Sequence, residues 1–69
     1  MSLQTLTPVH ATRDIQRGHN VVKVGWHGRV VDSFPNWSST TYSVEFTAED
    51  IPGATLTMHG LTELDVRPD

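Results

Sequence analysis

Two short runs of strict alternation constrain this chain more than any other feature. Tyr42, Val44 and Phe46 are separated by Ser43 and Glu45, and Ala54, Leu56 and Met58 are separated by Thr55 and Thr57. Successive side chains of a strand point to opposite faces, so each run predicts a strand with one apolar and one polar side. Between them lies Glu49-Asp50-Ile51-Pro52-Gly53. Its proline presets φ and its glycine admits a left-handed residue, which suits a tight connection. Two alternating strands joined in this way predict a hairpin, with Tyr42, Val44, Phe46, Leu56 and Met58 buried on one face.

The remaining signals are shorter. Val21, Val22 and Val24 are β-branched and predict a strand from Asn20 to Val24, followed by a turn at Gly25-Trp26-His27-Gly28. Arg29 to Ser33 reads as the next strand, and Pro35-Asn36-Trp37-Ser38-Ser39-Thr40 as a loop. Gly60 to Leu64 suits a single 3₁₀ turn, and Asp65-Val66-Arg67 a last strand stopped by Pro68. Besides the hairpin residues, the inward set comprises Val22, Val24, Val30, Leu61, Leu64 and Val66. Residues 1–12 show no sustained period and read as a flexible N-terminal arm, with residues 13–69 as the domain. Short strands at this spacing, with no helical period, predict a small all-β barrel or sandwich.

Composition narrows the function classes. The chain has 69 residues, enough for one domain. It has no cysteine, which excludes disulfides and thiolate metal sites. A core this small is marginal, so a partner surface or self-association is expected to help. Five Lys and Arg against eight Asp and Glu give a net charge of -3. That balance argues against nucleic acid, which needs a basic surface, and against an anionic membrane. No apolar run approaches the roughly 20 residues of a spanning helix. The first residues have neither the basic start nor the apolar run of a secretory signal. A soluble cytoplasmic protein is the expectation.

The order of strands and turns resembles an SH3-like five-stranded small barrel. Several stretches resemble, more narrowly, the plasmid-borne type II dihydrofolate reductases. These are Gly18-His19-Asn20-Val21-Val22-Lys23, Trp26-His27-Gly28-Arg29-Val30-Val31, Tyr42-Ser43-Val44-Glu45 and Pro52-Gly53. The resemblance spans about residues 18–67 and implies tetramers around a central pore that binds NADPH and dihydrofolate. Lys23 matches the family's pore lysine. Where the family lines its pore with Val-Gln-Ile-Tyr, this chain has Leu56-Thr57-Met58-His59. Ile51 stands where the family places a histidine before Pro-Gly.

No catalytic or metal motif emerges from the residues themselves. His10, His19, His27 and His59 lack the spacing of a local metal pair. The carboxylates are scattered, Ser38 and Ser39 lie outside any nucleophile elbow, and no phosphate loop is present. The aromatics say more. Trp26 lies beside a glycine turn, and Phe34 and Trp37 flank a proline loop, positions suited to capping the core or to a protein interface. The residues therefore point to a non-enzymatic binding or assembly module without a cofactor. Its ligand or interface candidates are Trp26, Trp37 and Phe34, with Lys23, Thr57 and His59 from the reductase resemblance. The alternatives are a reductase-like oligomer using NADPH, or an inert relative of it, and a ribosomal-type nucleic-acid-binding barrel.

Overall fold

The computed structural model describes residues 3–35 and 38–69. They form seven strands: β1 (Pro8–Ala11), β2 (Ile15–Arg17), β3 (Asn20–Val22), β4 (His27–Pro35), β5 (Thr40–Thr47), β6 (Thr55–Leu61) and β7 (Val66–Pro68). Five of these make one antiparallel sheet in the order β6-β5-β4-β1-β7, and β2 and β3 form a separate hairpin. The alternating runs are β5 and β6, paired with Val44 opposite Met58 and Phe46 opposite Leu56. Tyr42, Val44, Phe46 and Met58 are buried, while Leu56, on the edge strand, is half-buried against the core.

The largest departure from the sequence reading is at the N-terminus. Residues 1–12 were expected as a flexible arm, yet Pro8–Ala11 is a strand inserted between β4 and β7. Val9 and Ala11 are fully covered and belong to the core with Ile15, Val22, Val30, Leu61 and Val66. Alternation is present in Pro8-Val9-His10-Ala11 but is too short to stand out without its neighbours. Leu3 also packs against the core, and its backbone N–H donates to the buried Tyr42 hydroxyl at 3.0 Å.

Two residues assigned inward are exposed. Val24 lies in a turn closed by Trp26 N–H donating to the Lys23 carbonyl, with Gly25 at φ 88°. Leu64 lies in the turn of residues 62–65, where Asp65 N–H donates to the Thr62 carbonyl at 2.9 Å. In both cases the residue sits in a turn, where side-chain direction no longer alternates.

Two β-bulges shape the middle of the sheet. One extra residue in β4 falls between Val30 and Asp32, and another in β6 between Met58 and Leu61, both beside Ser43 of β5. Gly60, at φ 70°, supplies the left-handed residue of the second. At Gly28, β4 lies close against the backbone of β5. A Cβ there would lie 2.5 Å from the Glu45 carbonyl oxygen, so any larger residue would push the strands apart.

The 62–65 turn ties the sheet's far end to the N-terminal segment. Asp65 is buried; its Oδ1 accepts from Arg13 Nε at 2.9 Å and Nη2 at 2.5 Å, and its Oδ2 accepts from Thr62 N–H at 2.9 Å. Thr62 Oγ1 in turn accepts from Leu64 N–H at 3.2 Å, the reciprocal pattern of a capping box around one turn. Burial opposes ionisation of Asp65 and is the largest single influence. The Thr62 N–H and Arg13 together outweigh it and hold the carboxyl below its ordinary value of 3.8. Because the folded carboxyl binds its proton more weakly than the unfolded one, its contribution to stability is present above about pH 4. It is lost as pH falls through the folded value. Urea unfolding across pH 2–7 should show this acid loss in the wild type. In Asp65→Asn it should be reduced, with a cost of about 1–3 kcal/mol at neutral pH.

Candidate functional site

Residues directly opposite each other on neighbouring strands share a face. The register therefore fixes what the outer face of the large sheet carries. One row crosses four strands as Thr57, Glu45, Arg29 and Pro8. A second runs through His27, His10 and Arg67. Beside these rows an open cleft of about 630 Å³ is lined by Leu6, Pro8, His27, Gly28, Arg29, Glu45, Thr47, Thr55 and Asp69. Leu6, on the rim, has φ 71°, a left-handed conformation that non-glycine residues avoid. It is held there by its own N–H to the Val30 carbonyl and by Thr7 N–H to the Gln4 carbonyl.

The cleft's charges are paired with one another. Arg29 Nη2 lies 3.7 Å from Glu45 Oε1. Asp69 engages two imidazoles, with Oδ1 at 2.9 Å from His10 Nδ1 and Oδ2 at 3.2 Å from His27 Nδ1. The hydrogen bond from His10 leads the influences that hold the Asp69 carboxyl below its ordinary value; desolvation opposes it and His27 adds to it. A carboxylate acceptor requires a proton on each Nδ1, so Nε2 is the nitrogen left to accept in the neutral rings. Among the described residues no group of three or more His, Asp or Glu side chains is arranged to hold a metal ion.

On the same outer face Ser43 Oγ is hydrogen-bonded to His59 Nδ1 at 2.7 Å. A serine hydroxyl beside an imidazole is the pairing that nucleophilic catalysis requires. Ser43, however, is buried beneath its neighbours at 2% exposure. The contact satisfies a hydroxyl that the two bulges enclose.

The sequence-derived candidates are dispersed. Thr57 and His59 are exposed on β6, and Lys23 is exposed in the turn between β3 and β4. None of the three lines the cleft. Trp26 is half-buried and packs against the core, the capping role for an aromatic at that turn. Phe34 is 50% exposed on β4. Trp37 lies outside the described residues. The His10–Asp69–His27 cluster was not legible in the sequence, because its members lie 59 and 42 positions apart and meet only through the sheet.

A double-mutant cycle tests the enclosed pair. His59→Ala should cost about 1–2 kcal/mol by leaving the Ser43 hydroxyl unpaired. In urea unfolding, Ser43→Ala combined with His59→Ala should cost less than the sum of the two single changes.

Compared with known proteins, the chain matches no family model, no curated protein and no solved structure.

Proposed function

We propose that this chain is a non-catalytic binding and assembly module on an SH3-like barrel scaffold, with a protein as its partner. The scaffold reading is supported by the strand order and by the β2–β3 hairpin's contribution of Ile15 and Val22 to the core shared with the large sheet. The binding reading is supported above all by Phe34. β1 pairs only with residues 27–29 of β4, and the β6 register reaches β5 only as far as Tyr42. Among the described residues, 34 and 35, paired with 41 and 40, therefore extend beyond the flanking strands as a two-stranded arm. An unflanked hairpin is marginal in water, and a half-exposed phenylalanine on it gains by being covered. The cleft is consistent with recognition rather than bond-making, since its charged groups are already engaged with each other.

The type II reductase reading keeps one point in its favour, the exposure of Thr57 and His59 on a single strand. It requires four copies to bring Lys23 to the same pore. NADPH-dependent reduction of dihydrofolate that disappears on Lys23→Ala would establish it in place of the module.

The module reading is tested on Phe34. Immobilised wild type and Phe34→Ala are compared for retained proteins, and each candidate is then titrated as a purified binary complex. A partner should bind the variant at least tenfold more weakly, as expected for an aromatic hot spot. Folding stability should change by no more than about 0.5 kcal/mol, because the side chain is exposed. Equal affinity for both chains would refute the assignment of Phe34 to the interface.

A further inference from the structure

The two edges of the five-stranded sheet are built differently, and the register shows how. Thr12 N–H donates to the Asp65 carbonyl and Asp69 N–H to the Pro8 carbonyl. Hydrogen-bonded pairs alternate along an antiparallel ladder. It follows that Arg67 turns its backbone toward β1, while Val66 and Pro68 turn theirs to the free side. Proline has no N–H, so the β7 edge lacks a donor at that position and has a charged arginine beside it. Three residues, a proline and a charge are the usual means of keeping an edge from pairing.

The β6 edge has none of these protections. Ala48 N–H donates to the Ala54 carbonyl at 3.0 Å, so Leu56 and Met58 spend their backbone groups on β5. Thr55 and Thr57 direct theirs outward, and among the described residues nothing outside the ladder bonds to them. The strand Thr-Leu-Thr-Met-His-Gly-Leu contains no proline and no Asp, Glu, Lys or Arg. Both threonines are exposed and β-branched, which favours pairing.

We propose that β6 pairs antiparallel with β6 of a second copy of this chain about a two-fold axis at Leu56, joining two five-stranded sheets into one. The edge is its own complement. Thr55 of one copy faces Thr57 of the other, and each such pair exchanges two backbone hydrogen bonds. Without formal charge on the strand, no like charges meet at the axis. The two half-buried Leu56 side chains come together on the core side. This surface is separate from the Phe34 arm, so the two assignments stand or fall independently.

The test uses the full chain, whose lack of cysteine gives a clean background. Light scattering should give twice the 7.7 kDa chain mass at high concentration. Thr57→Pro, which removes an outward N–H, should weaken the dimer at least tenfold. Thr55→Lys combined with Thr57→Lys, which opposes lysines across the axis, should do the same. Phe34→Ala should leave the mass unchanged. Register is read by oxidation. Directly opposite residues lie about 5.5 Å apart, within disulfide reach. A mixture of Thr55→Cys and Thr57→Cys chains should therefore cross-link, and neither alone should. A monomer at all concentrations, an assembly indifferent to the Thr55 and Thr57 changes, or cross-linking of either variant with itself would overturn the proposal.

Discussion

The insertion of β1 between β4 and β7 is the constraint on which the rest of this structure depends. Only four residues long, it supplies Val9 and Ala11 to the core and joins β7 to the sheet. Its register on β4 places Val9 opposite Gly28, the residue whose missing side chain lets β5 approach from the other flank. Beyond β1 the chain is held again, where Arg13 meets the buried Asp65 and Thr12 bonds to residues 64 and 65. Without β1, β7 would have no neighbour and the outer face would lose His10 and with it the bridge through Asp69 to His27.

What the sequence made legible follows the same logic. The β5–β6 hairpin was readable because the strict alternations of Tyr42–Phe46 and Ala54–Met58 lie either side of a Pro-Gly turn. β1 was not, because two apolar residues spaced by a histidine fit a strand, a turn or a tail equally well. Only pairing on both edges, with β4 and with β7, selects the strand. Val24 and Leu64 failed for the opposite reason, an apolar residue being counted inward although it occupies a turn corner. Ser43 was expected to face solvent, and by alternation it does face away from the core. The bulges on both neighbours, together with His59, enclose it, and bulges leave little trace in sequence beyond Gly60. Of the residues singled out from the sequence, Lys23, Phe34, Thr57 and His59 are exposed and Trp26 is half-buried, whereas the paired cleft charges belong to cross-strand register and had no local signature.

Taken together, the architecture separates a guarded side from an open one. The β7 side is closed by Pro68 and Arg67 and stapled by Asp69. The β5–β6 side carries an edge strand without proline or formal charge, and the arm at the end of β4 and β5 exposes an aromatic ring. A 69-residue domain has little core with which to offset chain entropy, and such surfaces are where association adds stability.

The central claim, that Pro8–Ala11 is an integral strand of the sheet rather than part of an arm, is tested most directly by native-state hydrogen exchange. Ala11 N–H donates to the Trp26 carbonyl and Thr12 N–H to the Asp65 carbonyl, each at 2.9 Å. Both amides should exchange only through global unfolding, with protection equal to that of Val44 and Phe46 in β5. Exchange of Ala11 and Thr12 at the rate of an unstructured chain, while β5 stays protected, would contradict the account.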